Sequence, residues 1–348
     1  MGKISIVVVG PGLIGKQHIR LIGENPRCQL CAIVAPDHEA NHEIARVQGV
    51  PLFYSLEDCL RAKSVDGAII ASPNEFHARQ AAQCIEAGIP VLIEKPITVT
   101  VAEGEVLVAM AERKNATVMV GHHRAHSPLL SLARTVIDEG RLGRLVTVMG
   151  SAQFCKPAHY FEDGPWRRQP GGGPILINLI HEIGNLRSLC GEITAVQAMS
   201  SSAVRQFPVE DTVVINLSFT SGMLGTFVLS DTAATAKSWE QTSRENPSYP
   251  TYADEDCYMI AGTTGSLDIP TMRLKSYATD IEPSWWVPFR EEVLEIKRED
   301  PLTRQLAHFV QVIDGQCAPL VSARDGLRNL MVTEAVRCSA ATQQTVYL

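Results

Sequence analysis

Residues 4–15 read Ile-Ser-Ile-Val-Val-Val-Gly-Pro-Gly-Leu-Ile-Gly. A β-branched run meets glycines at 10, 12 and 15, and an amphipathic stretch follows at once. This is strand, tight turn and helix. Gly10 takes turn dihedrals that a side chain resists. Gly12 lets the backbone approach a pyrophosphate, and Gly15 lets the helix pack close on the strand. The helix start offers amide groups and the positive end of its dipole to an anion. The spacing, in strand-to-helix context, predicts an NAD-type dinucleotide site with Gly10, Gly12, Leu13, Ile14 and Gly15 at the phosphates. A glycine-rich turn in some other α/β fold is the bland alternative.

Outward from that turn, strands are predicted at 4–9, 29–34, 67–71, 90–93 and 117–120, and helices at 12–23, 38–48, 75–87 and 100–114. Such alternation means a doubly wound parallel sheet with crossover helices. The pattern changes after about residue 122. A helix over 127–139 leads to a long strand at 144–154, and the apolar segment 174–190 fits another helix. Strands near 193–202, 211–219, 223–231 and 257–261 are mostly consecutive, which predicts a largely antiparallel sheet. The polar stretch 236–256 reads as a mobile flap, and helices at 301–315 and 323–340 close the chain. The fold class is therefore α/β, with a Rossmann domain over 1–122 and an α+β domain with a large open sheet over 123–348.

The chain has 348 residues, room for two such domains, and a net charge of −7 with no basic stripe. That argues against nucleic acid and anionic membranes as partners. No apolar stretch approaches a membrane span, and the chain opens on a strand rather than a signal peptide. Nine scattered cysteines, mostly in apolar segments, read as reduced thiols of a cytoplasmic protein. Cys28 and Cys31 have C-x-x-C spacing, but they lie on or beside a core strand with no second pair, so packing is the better reading.

Ligands of an open parallel sheet bind beyond the carboxyl ends of its strands. Three polar turns fall there: Ser72-Pro73-Asn74 with His77 following, Glu94-Lys95-Pro96, and Gly121-His122-His123-Arg124. Pro96 biases Lys95 toward an extended backbone, which gives its side chain a defined direction. Beside a nicotinamide, a partly buried lysine exchanges a proton with a substrate hydroxyl or carbonyl near neutral pH. A solvated lysine is the alternative. His122, His123 and His126 resemble a metal cluster, but adjacent histidines point to different sides of an extended chain and no carboxylate completes a shell. No metal is expected.

A second constellation runs Gly171-Gly172-Gly173-Pro174-Ile175-Leu176-Ile177-Asn178-Leu179-Ile180-His181. Pro174 suits a first helical turn. Ile177, Asn178 and His181 fall at i, i+1 and i+4, close enough to share a helix face. A satisfied core histidine is the competing reading of His181. Trp285-Trp286 reads as an interface or rim pair, or as isolated surface aromatics, and Asp325 as a cap or a group facing the cofactor domain.

Val9 to Gly15, Ala71-Ser72-Pro73-Asn74 with His77, Ala87-Gly88 before Val91 to Pro96, the Gly171 to His181 segment, and Arg324-Asp325-Gly326 together resemble the Gfo/Idh/MocA oxidoreductases. The resemblance runs in order over nearly the whole chain. It implies hydride transfer between a nicotinamide and a carbinol carbon, commonly of a sugar or cyclitol, and subunit contacts through the second domain's sheet in a homo-oligomer. It also implies that Lys95 and His181 hydrogen-bond the reacting oxygen, and that Ser72, Asn74, His77 and Glu94 line the cofactor side.

The family usually has an aspartate four residues before the histidine, where this chain has Ile177. Substrate contacts then fall to His123, Arg124, Tyr160, Trp166, Arg167 and Asn178. The adenosine ribose carboxylate is expected near Ala35, and Asp37 follows two residues later. No Ser-Arg pair follows to hold a 2′-phosphate, although His38 is near, so NAD is favoured over NADP. The expected activity is an NAD(P)-dependent dehydrogenase or reductase of a polyhydroxylated compound. The rivals are a glycoside hydrolase or lyase that uses transient oxidation by bound NAD, and a non-catalytic dinucleotide-binding protein.

Overall fold

The computed structural model describes residues 2–348. They form two compact units. The first runs to His126 and takes up Leu302–Leu330; the second comprises Ser127–Pro301 and Met331–Leu348.

The first unit holds six strands: β1 (Ile4–Val9), β2 (Cys28–Val34), β3 (Leu52–Phe53), β4 (Gly67–Ile70), β5 (Val91–Glu94) and β6 (Val118–Gly121). Their order is β3-β2-β1-β4-β5-β6, and every pairing is parallel. β1, β4 and β5 read as nearly continuous apolar runs because both faces of a doubly wound sheet are covered. The order reverses where β1 meets β4, and Val9 pairs with Ile70 at that point. Turns leaving these two strands are therefore neighbours.

The helix Pro301–Ile313 packs Leu306, Phe309 and Val310 into the same core as Ile6, Val8, Ile69 and Leu92. Farther along, Val120 donates its amide to the Val321 carbonyl at 2.9 Å. A Cβ on Gly326 would stand 2.6 Å from Val120 Cγ2, so a bare backbone is needed there. Linear reading grouped 302–330 with the second domain; in the structure this stretch belongs to the first unit because its apolar face completes the sheet's cover. Ser322 and Asp325 form a reciprocal cap. The Asp325 amide donates to Ser322 Oγ at 3.2 Å, and the Ser322 amide donates to Asp325 Oδ2 at 3.1 Å. Asp325 is thus the third helical residue of the cap, and Ser322 is the N-cap.

The second unit is built on a nine-stranded sheet: β7 (Leu145–Gln153), β8 (Ile193–Ser201), β9 (Thr212–Phe219), β10 (Leu224–Ser230), β11 (Tyr258–Gly262), β12 (Gly265–Ile269), β13 (Arg273–Ser276), β14 (Arg290–Val293) and β15 (Val346–Tyr347). The order is β14-β13-β12-β11-β7-β10-β9-β8-β15, antiparallel except for the β7–β10 pair. Helices Pro128–Asp138 and Ile180–Cys190 share one core with the sheet's inner face, where Val148, Ile215, Phe227 and Tyr258 lie.

Two expectations change here. The segment 174–190 is not a uniform helix: Ile175–Leu179 is a wider π turn that leads into Ile180–Cys190. The stretch 236–256 is not a free flap, because Trp239 and Glu245 are buried and joined through Trp239 Nε1 at 3.0 Å, while Ser127 Oγ also donates to Glu245. Among the described residues, no helix is long and apolar enough to cross a membrane.

Candidate functional site

The phosphate turn has the steric signature its glycines predicted. Gly10 adopts φ +86°, and a Cβ there would lie 2.6 Å from the Ser72 backbone. A Cβ on Gly15 would lie 2.0 Å from the Gly10 carbonyl oxygen. Gly12 differs, since a Cβ there meets nothing within 4 Å. Two glycines are thus required by the chain's own packing, and the third leaves backbone open for a ligand. The helix Leu13–Glu24 starts at Gly12 without a side-chain cap, so a bound phosphate has its amides to face. Leu13 is exposed and Ile14 half-buried beside them. These residues fit a dinucleotide pyrophosphate.

The strand ends bring the other residues of the first unit together. Ile70 pairs with Ile93, and Glu94 with Gly121, so the turns after β4, β5 and β6 are adjacent. Buried Glu94 lies 2.8 Å from His18 Nε2, and its second oxygen accepts the Lys95 amide at 3.4 Å. A Cβ on Gly121 would stand 2.9 Å from that carboxyl group. Glu94 is therefore a buttress under the Lys95 turn. His18 was missed in the sequence; its signal is a lone polar residue on the inward face of the first helix, among Gly15, Ile19, Leu21 and Ile22.

His77 was expected at the cofactor. In the structure it is buried, with Nδ1 2.8 Å from the Pro96 carbonyl and Nε2 2.9 Å from the Ser72 carbonyl. Burial lowers its pKa against the pull of those carbonyls. Both ring nitrogens are engaged with backbone, so His77 ties the β4 and β5 turns to each other. Ser72 Oγ donates to Gln80 at 2.5 Å, and Asn74 is exposed on the same turn.

Lys95 is half-buried. Burial first, then the Arg124 guanidinium and the Lys95 ammonium, push the His123 imidazole well below its ordinary range. His123 therefore stands neutral, able to donate from one nitrogen and accept at the other. Arg124 is buried beside it. His122 accepts from Asn329 Nδ2 at 3.2 Å, and the His126 ring lies tilted against His308, with centroids 5.1 Å apart, so these two rings have different partners. At the end of β2, exposed Asp37 lies 2.8 Å from His42 Nε2, and His38, not Asp37, caps the following helix.

The second unit holds the remaining candidates. Gly173 at φ +81° leaves space for Glu210, whose Oε1 accepts the Ile175 amide at 2.9 Å. Burial pushes the Glu210 carboxyl up, and that amide opposes it. This contact anchors the start of the helical run bearing Ile177, Asn178 and His181. His181 is buried on that run, and Ile177 and Asn178 are half-buried.

Asn178 Oδ1 accepts from Lys156 Nζ at 2.7 Å, and Lys156 also faces Asp231 at 3.5 Å. The Lys156 ammonium lies 4.8 Å and the Arg167 guanidinium carbon 3.9 Å from the Tyr160 ring centroid. Tyr160, Arg167 and Asn178 thus gather round a residue that sequence reading missed. Its signal was present: Lys156-Pro157 follows β7 much as Lys95-Pro96 follows β5. Trp166 stands at the rim, about half exposed.

Comparison with known proteins agrees with this architecture. The sequence model of the GFO/IDH/MocA "Oxidoreductase family, NAD-binding Rossmann fold" matches residues 4–122, and that of the family's "C-terminal alpha/beta domain" matches residues 134–348. Inositol 2-dehydrogenase from Rhizobium meliloti strain 1021 is 22% identical over 97% of both chains. The rhizopine catabolism protein MocA from Rhizobium meliloti is 30% identical; that match spans 55% of this chain and 59% of the relative's length. The WlbA dehydrogenase from Bordetella pertussis, solved with NADH and UDP-GlcNAcA, shares the fold with a TM-score of 0.79, 24% identity and 99% coverage of each chain. With both halves matched in order, the chain belongs to the GFO/IDH/MocA oxidoreductase family and carries its NAD-binding Rossmann fold.

Proposed function

We propose that this protein is an NAD-dependent dehydrogenase or reductase that acts on a carbinol or carbonyl carbon of a sugar, cyclitol or related polyhydroxylated compound. The observation that carries the reading is the Lys95 turn after β5, held by Glu94, His18 and His77, with only β4 between it and the strand that leads into the Gly10–Gly15 phosphate turn. So much buried structure under a half-exposed lysine suits a group that must keep its direction.

Lys95 and His181 are assigned to the reacting oxygen. In oxidation one of them takes the hydroxyl proton as the carbon loses hydride; in reduction it returns the proton to the new alkoxide. The nicotinamide, when bound, accepts or supplies the hydride. The second group steadies the developing charge by a hydrogen bond. With Ile177 in place of a carboxylate, the helical run that bears His181 brings no acidic side chain at that position. Asp37 as the ribose contact favours NAD over NADP, since a carboxylate repels a 2′-phosphate. We assign cofactor binding to residues 1–122, and substrate and subunit contacts mainly to 123–348. The outward sheet face, where Met149, Met199 and Val214 are exposed, is assigned to a second copy of the chain. Cysteine usage supports a reducing, cytoplasmic setting.

A screen of sugars, inositols and anhydrosugars, followed by NADH absorbance with both NAD and NADP, tests the reading. Hydride transfer from at least one of these compounds to the nicotinamide, with NAD preferred, is expected. Binding of NADH without transfer from any of them contradicts it.

A further inference from the structure

The helix Ile180–Cys190 carries a buried carboxyl group next to His181. Glu182, Tyr258 and Asn185 are 0%, 1% and 2% exposed. The Tyr258 hydroxyl donates to Glu182 Oε2, and Asn185 Nδ2 donates to the same hydroxyl at 3.0 Å. Glu182 and Asn185 stand three residues apart and share a helix face, so one hydroxyl grips the helix at two points. Polar groups buried in an apolar core are costly, and well-packed apolar residues of similar volume often fill such a site with no loss of stability. Stability alone is therefore a poor reason for this triad. A fixed register is a better one, the use for which buried polar groups are best attested.

The sheet side of the contact is held firmly. Tyr258 pairs with Gly150 on β7 and with Ile269 on β12. A Cβ on Gly150 would stand 2.5 Å from the Phe227 ring and 3.2 Å from the Tyr258 ring, so only bare backbone leaves room for both. Trp239 lies tilted against Tyr258 with centroids 5.8 Å apart, and its Nε1 donates to Glu245 at 3.0 Å. The helix side needs such a reference point. It follows the π turn Ile175–Leu179, in which one extra residue is accommodated. Closing that turn to α winding would rotate every later side chain by about 100°. Glu210 holds the run before the turn, at the Ile175 amide, and Tyr258 holds it after the turn. His181 lies between the two anchors.

We propose that Tyr258 and Glu182 are positioning residues for His181: their contact fixes the rotation of the helix beyond the π turn, and with it the direction of the imidazole. This rests on the assignment of His181 to the reacting oxygen and adds the device that aims it.

Tyr258→Phe keeps the ring and removes the hydroxyl. With the best substrate of the screen it should lower kcat about tenfold or more, within the roughly hundredfold that a misplacement of about 1 Å costs. KM for NAD and NADH binding should stay at parental values. Glu182→Gln retains an acceptor for the hydroxyl and should keep most of the rate, whereas Glu182→Leu should match Tyr258→Phe; the tyrosine variant serves if the leucine one folds poorly. In a His181→Gln background Tyr258→Phe should cost nothing further, because its effect runs through the imidazole. Parental kcat in Tyr258→Phe, or losses that multiply in the double variant, overturn the inference and leave the dehydrogenase intact. A second readout needs no substrate. The His181 ring-proton signal in NMR, identified by its absence in His181→Gln, should shift or broaden in Tyr258→Phe, and an unmoved signal also overturns the inference. If that signal moves but no compound is turned over while NADH still binds, the dehydrogenase reading falls and the positioning contact stands.

Discussion

At the scale of single residues, the three glycines of the phosphate turn have separable duties. Gly15→Ala forces a methyl group to 2.0 Å from the Gly10 carbonyl, a backbone contact that cannot yield cheaply. That variant should lose both thermal stability and NADH binding. Gly12→Ala meets no protein atom within 4 Å. It should melt close to the parent protein yet bind NADH about tenfold more weakly, a loss of roughly 1.4 kcal/mol, because the methyl group occupies the line of approach of the phosphates. Calorimetric melting and NADH titration of both variants check this; equal behaviour of the two would contradict it. The glycine motif was legible in sequence because each position answers a local backbone demand. Glu94, by contrast, was read as a cofactor contact, and its role as a buttress emerges only once His18 and Gly121 are brought to it from other elements.

At the scale of elements, long periodic segments were legible and short or returning ones were not. The six-residue run Ile4–Val9 announces itself, whereas the two-residue Leu52–Phe53 is too short to show a period. The edge strand Arg290–Val293 is exposed at every position, so no alternation marks it. The helix Pro301–Ile313 was found, but its partner was not, because an apolar stripe does not say which sheet it covers. Phe309 is fully buried in the first unit's core. Phe309→Ala should destabilise that unit by about 3–5 kcal/mol, read in the urea transition that added NADH raises. If only a transition insensitive to NADH moves, the packing of 302–330 is wrongly placed. Lys156 belongs to the same lesson. A Lys-Pro pair after a strand was noticed once and overlooked once, because only the first followed a parallel strand of a dinucleotide fold.

At the scale of the whole molecule, buried histidines tie stability to pH. Burial, with His308 and Arg304 nearby, lowers the His126 pKa to about 3. The unfolded imidazole titrates near 6.5. Between those values the unfolded chain binds a proton that the folded chain refuses, so stability is complete above pH 6.5 and declines as pH falls. By about pH 5 this one group costs about 2 kcal/mol, and His123, shifted in the same direction, adds to the loss. Urea midpoints at neutral and mildly acidic pH should show this slope, and His126→Leu should flatten it; an unchanged slope would contradict the assignment.

Lys95 lies in the first unit and His181 in the second, so neither half of the sequence announces the proposed chemistry alone. The most direct measurement is the single-turnover rate of hydride transfer in Lys95→Met and His181→Gln, each loaded with NAD and the best substrate. The account predicts that at least one slows a hundredfold or more, within the roughly 10²–10⁴ range of general acid–base contributions, while both still bind NADH normally. Near-parental rates in both variants would contradict it.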